Sequence, residues 1–220
     1  MCPQTHAHHR YLEEEQRRKQ QQGRLDETPD QPWNAPEQLS LSPEERDLEA
    51  LAPLFIIRQV INDWFELVHP VAPILRRDSF LQQLDDSSKH DQDFIGLAAS
   101  ICAATVTTLR RKASEYALMV TVEKCYRLVH SLDHKWHDSP ITLTRCQIKY
   151  NMAVALGAEN GLDYWISQMQ FAEATAMVGR LVHYEMQNFS FCDREMVKRL
   201  YWLCFAGQWS VILNSCSGLW

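Results

Sequence analysis

The chain has 220 residues, of which 45% are hydrophobic, and its formal net charge is −6. That is enough for one domain of moderate size with a substantial core, and the acidic balance argues against a free-standing DNA-binding module, which normally carries a basic face. A run of about 18 apolar residues and a basic-then-apolar N-terminus are both missing from the sequence, so we expect neither a membrane span nor secretion.

Residues 1–50 are predicted to form a disordered linker. The stretch 28–43 contains four prolines and few aliphatic residues. Such a segment cannot bury enough apolar surface to offset the entropy of ordering its backbone. The folded domain is therefore predicted to cover residues 51–220.

The folded part begins with a helical stripe formed by Ile57, Val60, Ile61, Trp64 and Val68. Their spacing places one apolar face on a helix that starts near Pro53 and ends at His69-Pro70, because proline removes a hydrogen-bond donor. Asp78 is predicted to cap a short second helix. Residues 85–93 are predicted to form a polar loop.

Five further helices are predicted downstream, at residues 92–110, 114–131, 143–157, 162–182 and 194–213. Thr142 and Asp193 are the expected N-caps of the third and fifth of these. In helix 162–182, the predicted core-facing stripe consists of Trp165, Met169, Ala172, Ala176 and Gly179. Without a convincing strand pattern, the predicted fold class is all-α, an irregular array of six or seven helices.

The seven cysteines are expected to be free thiols in a reducing compartment. Their odd number and the lack of close pairs argue against a disulfide framework and against a zinc finger. Most of them lie among apolar residues and are predicted to be buried structural thiols: Cys102, Cys125, Cys146, Cys192 and Cys204.

Three segments resemble the fungal-specific transcription factor domain, the middle homology region of zinc-cluster factors. In residues 64–81 an aromatic helix runs into His69-Pro70, a second proline and Ile74-Leu75, followed by a short helix near Phe80. Residues 161–183 are similar to the family's long central helix, and residues 195–202 are similar to its acidic-then-basic helix that ends in an aromatic pair, Tyr201-Trp202. The resemblance covers roughly residues 54–210.

This resemblance implies a nuclear, non-enzymatic transcription regulator that controls RNA polymerase II transcription of a pathway or of a metabolite gene cluster. The six-cysteine basic module that holds two zinc ions in the family is missing, so zinc is expected only in such a module, and the domain looks incomplete at its C-terminus. DNA contact is then expected only through a missing module or a partner factor. A homo- or heterodimer, a small-molecule effector and a corepressor are the other expected partners. The alternative is a helical interaction module that modulates a full-length factor without DNA contact.

Two groups of residues in the sequence are of the types that bind metal ions. His130, His134 and His137, with Asp133 and Asp138, have helical spacing but run across a predicted helix end, where histidines are also favoured by the helix dipole. An N-terminal group lies in the predicted linker, which offers no fold to fix ligand geometry: Cys2, His6, His8 and His9. The predicted metal-ligand set is therefore empty.

A helical enzyme of the terpene-synthase type would need a third carboxylate four residues after Asp85, and Lys89 stands there. The basic runs 17–19 and 110–112 match short nuclear-import or phosphate-contact patches but are equally typical of ordinary surfaces. Nucleophile-elbow, phosphate-loop and dinucleotide fingerprints are missing from the sequence. No catalytic, cofactor-binding or DNA-binding residue is assigned.

Overall fold

The structure, a computed structural model, describes residues 47–109, 116, 118–136, 139–161 and 165–217, and for residues 87, 134–136 and 209–217 it describes the backbone alone. These ranges contain seven α-helices and no β-strand, which confirms the predicted all-α fold. They lie in one compact unit. None of the described helices is long and apolar enough to cross a membrane.

The helices follow one another as α1 Leu54–Asp63, α2 Arg77–Asp85, α3 Gln92–Thr108, α4 Val122–Trp136, α5 Leu143–Asn160, α6 Trp165–Arg180 and α7 Phe191–Ser217. Two π-helical turns, Trp64–Val68 and Leu181–Glu185, extend α1 and α6. Short 3-10 turns lie at Leu48–Ala50, Ser87–Lys89 and Met186–Asn188.

Helix α3 is the centre of the core. The apolar spacing between Phe94 and Leu109 predicts one buried face, but fourteen of the 17 residues are buried, so the helix is covered on all sides. It packs against α1, α4 and α5, and α5 in turn packs against α6. Small residues such as Ala98, Ala99 and Ala103 are fully buried on it. Small side chains at these positions permit a close approach of the neighbouring helices.

The packed structure starts before residue 51. Leu48 is fully buried in the turn Leu48–Ala50, and the Asp47 carboxylate accepts a hydrogen bond from the Leu48 N–H at 2.6 Å. These residues belong to the stretch that was predicted as linker, because one buried leucine and one capping aspartate gave no periodic signal. The rest of the predicted linker, residues 1–46, lies outside the described residues.

Several predicted helix boundaries are wrong; α7, for example, covers Phe191–Ser217 instead of 194–213. Helix α4 begins at Val122 instead of residue 114, and Tyr116 is buried in a turn that precedes it. Helix α5 continues through Gly157 to Asn160 and ends at Gly161, whose φ of 96° is strained for any residue with a Cβ. The helix therefore stops at the glycine that has a positive φ.

One of three predicted N-caps is confirmed. The Thr142 hydroxyl accepts a hydrogen bond from the Arg145 N–H at 3.3 Å. Asp78 instead lies within the first turn of α2, where its negative charge interacts favourably with the helix dipole. Asp193 lies in the first turn of α7, and Ser190 caps that helix by accepting from the Asp193 N–H and donating to its carboxylate.

The faces of α6 are the reverse of the prediction. Ile166, Phe171, Ala174 and Val178 are buried. Four of the five residues predicted to face the core are exposed, with Trp165 at 55%, Met169 at 47%, and Ala172 and Ala176 also open to solvent, while Gly179 is half-buried. Both faces of this helix are apolar, so packing and not periodicity decides which one is covered.

Candidate functional site

The first family-like segment folds as a tight local unit. Trp64 and Phe65 are 1% and 3% exposed on the π-helical turn that ends α1. The ring of His69 lies 5.3 Å from each of their rings, and its Nε2 is 2.9 Å from the carbonyl oxygen of Leu75. The histidine therefore closes the proline-containing turn between α1 and α2.

A chain of aromatic contacts continues from this turn into the core. Phe65 lies 5.8 Å from Phe80 of α2, and Phe80 lies 5.0 Å from Phe94 of α3. The Arg77 guanidinium sits 5.8 Å from the Phe65 ring, in the range of a cation–π contact. His90 stacks on Phe94, with the ring centroids 5.0 Å apart. The aromatic residues of the segment thus join three helices.

The third family-like segment reaches the first one. Arg199 of α7 donates a hydrogen bond from Nη1 to the carbonyl of Pro73 at 3.4 Å. Gln147, buried on α5, donates to the neighbouring Ile74 carbonyl at 2.5 Å. The loop after the second proline is therefore held by side chains far away in sequence.

The pattern of the third segment predicts a buried aromatic pair, Tyr201 and Trp202, with the stems of Lys198 and Arg199 over the rings, and the structure contradicts this. Trp202 is 65% exposed and Tyr201 is half-buried, while Trp202 contacts Phe205 edge-on at 5.9 Å. Lys198 pairs with Glu195 at 2.7 Å instead of covering the rings. The reason is which face of α7 packs on the core: Val197, Leu200 and Cys204 are buried there, and Trp202 lies on another face.

An ion-pair cluster around one buried lysine joins α4, α5 and α6. The Lys149 ammonium, with its side chain 8% exposed, lies 2.7 Å from Asp133 and 2.8 Å from Glu173. Burial alone would lower the pKa of Lys149, but the two carboxylates outweigh it and raise the pKa above its usual value. Lys149 therefore stays charged and cannot act as a base or nucleophile at neutral pH.

Arg145, one turn before Lys149, makes a similar bridge. Its Nε lies 3.5 Å from the Asp93 carboxylate of α3, and its Nη1 donates to the Pro140 carbonyl at 2.9 Å. The guanidinium is largely buried. The cations of α5 are thus fully engaged in holding neighbouring elements together, which is a structural role.

Four of the five cysteines that were predicted to be buried are buried, and their thiols are unreactive. Burial raises the pKa of Cys125, Cys146 and Cys204 to about 12 and that of Cys102 well above its usual range. These thiols stay protonated and are poor nucleophiles. Cys192 is the exception: it is exposed in the first turn of α7, where its apolar neighbours in sequence do not cover it.

A cleft of about 470 Å³ opens between the start of α5 and the end of α6. Arg180 lines the cleft and forms no ion pair among the described residues. Glu185, the acidic residue of the lining, accepts a hydrogen bond from Asn188. The size falls in the range of small-molecule sites. Its lining combines apolar and polar side chains without a histidine or cysteine: Ser139, Pro140, Ile141, Thr142, Leu143, Arg180, Leu181, Glu185, Asn188 and Phe189.

The other sequence candidates are not brought together in the described part of the chain, which contains no group of three potential metal ligands. Asp133 is bound to Lys149, and His130 packs against Tyr126 at 5.7 Å. Several of the candidates lie outside the described residues or side chains: His134, His137, Asp138, Cys2, His6, His8, His9 and the basic runs 17–19 and 110–112.

The acidic pair after α2 is held by cations of the same chain. Asp85 pairs with Arg58 of α1 at 2.6 Å, and Asp86 pairs with Lys89 at 2.8 Å. Hydrogen bonds from Lys89 and Ser88 lower the pKa of Asp86 to about 2. Each carboxylate is thus paired with its own cation, and the two do not form a shared set of metal ligands.

Comparison with known proteins gives no relative for this chain. No family model, no curated protein and no solved structure matches it.

Proposed function

We propose that the chain is a regulatory domain of a transcription factor of the fungal zinc-cluster family. It acts in the nucleus on RNA polymerase II transcription of a pathway or metabolite gene cluster. The observation that carries the proposal is the ordered set of three segments, residues 64–81, 161–183 and 195–202. The hydrogen bond from Arg199 to the Pro73 carbonyl supports it, because the first and third segments belong to one packed unit.

In this role the domain regulates and does not itself read DNA. DNA contact comes from a zinc-cluster module or a partner factor, and zinc belongs to that module. The engaged Lys149 and the protonated cysteines fit a non-enzymatic domain. A small-molecule effector would find its place in the cleft beside Arg180, which is a cation of the second segment.

The second candidate is a helical module that regulates a factor by protein contact alone. The observation that favours it is the outer face of α6, where Trp165 and Met169 are about half exposed. Exposed apolar side chains that follow one another along a helix are typical of contact surfaces. This role and the first differ in whether the chain changes transcription when it is brought to a promoter.

The test is to fuse the full chain to an unrelated DNA-binding module in yeast and to measure a reporter with matching operator sites. We expect transcription to rise or fall relative to the DNA-binding module alone. The matched control carries Leu118→Ala, at a side chain that is 90% exposed and lies outside all three segments. An abundant nuclear fusion that leaves both a basal and a pre-activated reporter unchanged would contradict the first proposal.

A further inference from the structure

One face of α6 combines a coiled-coil spacing with exposure to solvent. Trp165, Met169, Ala172, Ala176 and Gly179 follow one another at intervals of four, three, four and three residues. This alternation is typical of a helix seam that faces another helix. The packing of α6 against α5 and α7 uses the opposite side, through residues such as Phe171 and Val178. We call these five residues the outer stripe.

The outer stripe is graded in size. Its first two residues, Trp165 and Met169, are large, and their side chains are 55% and 47% exposed. Its last three are alanine, alanine and glycine. A Cβ placed on Gly179 would meet nothing within 4 Å, so open space lies directly over the small end. The helix therefore presents projections at one end and a shallow hollow at the other.

We infer that the outer stripe is a self-association surface whose occupant is α6 of a second copy of this chain, in antiparallel orientation. A two-fold axis at Ala172 places Trp165 of each copy against Gly179 of the other, and Met169 within about one residue of Ala176. Each projection then fills a hollow. A parallel pair would set tryptophan against tryptophan and leave a gap between the two glycines. Only the antiparallel pair is complementary in size, and a two-fold pair is the commonest form of homo-oligomer.

The charges beside the outer stripe allow this pairing. Glu173, one residue from the axis, lies 2.8 Å from the Lys149 ammonium of its own chain, which offsets part of its charge because the same ammonium also pairs with Asp133. Arg180 lies at the end of the helix, away from the axis. The 16 residues of α6 span about 24 Å at 1.5 Å per residue. A single helix pair of that length gives a small interface, and we expect a dissociation constant in the micromolar range.

Sedimentation velocity of the purified full chain tests the inference, from about 5 to about 500 μM, where small interfaces associate. We expect a concentration-dependent monomer–dimer equilibrium. Ala172→Glu places two carboxylates face to face at the axis and should raise the dissociation constant at least about tenfold. The position is exposed, so the helix tolerates the change. The matched control is Leu118→Glu, at an exposed apolar residue off the stripe, and it should leave the constant unchanged.

A size exchange tests the orientation. Gly179→Trp alone should weaken the dimer, because two tryptophans then compete for each hollow, and adding Trp165→Gly should restore it. A wild-type chain that stays monomeric throughout the range overturns the inference. A dimer that survives Ala172→Glu, or that Leu118→Glu weakens equally, overturns it too. These outcomes are read on the isolated chain, so they do not depend on the transcriptional role.

Discussion

Trp64 and Trp202 both belong to family-like segments, but their surroundings differ. Trp64 is 1% exposed, and its ring meets Phe65 at 5.0 Å and His69 at 5.3 Å. Trp202 is 65% exposed on α7. The same substitution to alanine at both positions therefore tests which of the two helps to hold the fold.

The expected loss of unfolding free energy depends on how much of each tryptophan is buried. Truncating a fully buried tryptophan to alanine costs about 3–5 kcal/mol through lost burial and the cavity left behind. About a third of Trp202 is covered, so its truncation should cost roughly 1 kcal/mol. A domain of this size loses about 2–4 °C in Tm per kcal/mol. Trp64→Ala should thus lower the Tm by about 6–20 °C, and Trp202→Ala by only a few degrees.

Urea denaturation followed by far-UV circular dichroism, together with thermal melts, measures both changes. Trp64→Phe is the intermediate variant. The indole Nε1–H has no hydrogen-bond partner in the described structure, so phenylalanine loses ring volume and no hydrogen bond. Its cost should fall between those of the other two variants. Equal destabilisation by Trp64→Ala and Trp202→Ala would refute the packing described here.

Three further predictions concern stability. Gly207→Ala should destabilise the fold, because its Cβ would lie 2.5 Å from Cε1 of Phe171, whereas Gly179→Ala should be neutral or stabilising by up to about 1 kcal/mol; thermal melts of the pair decide it. Lys149→Met should cost about 1–3 kcal/mol in urea denaturation by unpairing two half-exposed carboxylates, and Lys198→Met, at an exposed pair, should have a much smaller effect. Because burial raises the folded pKa of Cys125 from 9.0 to about 12, its stabilising contribution is complete below pH 9 and is lost as the pH rises towards 12. Cys125→Ala should therefore flatten the alkaline fall in unfolding free energy by about 1.4 kcal/mol per pH unit, and the exposed Cys192→Ala should not.

The sequence predicted the elements whose local signals are unambiguous. The stripe of α1 repeats at helical spacing over several turns, so Ile57, Val60 and Ile61 were correctly expected to be buried. Thr142 was correctly identified as a cap because a threonine before an apolar helix offers a side-chain acceptor to free N–H groups. In both cases the information lies within about one helical turn.

Features that depend on residues far away in the chain could not be predicted from the sequence. Nothing near Lys149 indicates that Asp133 and Glu173 converge on it, since they lie on two other helices. Ile166 and Trp165 are adjacent and both apolar, and only the position of α5 decides that the isoleucine is covered. The cleft beside Arg180 is likewise formed by two segments about forty residues apart, so neither one contains its signal.

The proposed regulatory and self-association roles converge on α6. Its inner face packs against α5 and α7, and its Glu173 is tied to Lys149. Its end contributes Arg180 and Leu181 to the cleft, and its outer stripe is exposed. A ligand in the cleft and a second copy on the stripe would therefore contact the same helix. Any difference in how each binds to alternative positions of α6 then couples them reciprocally.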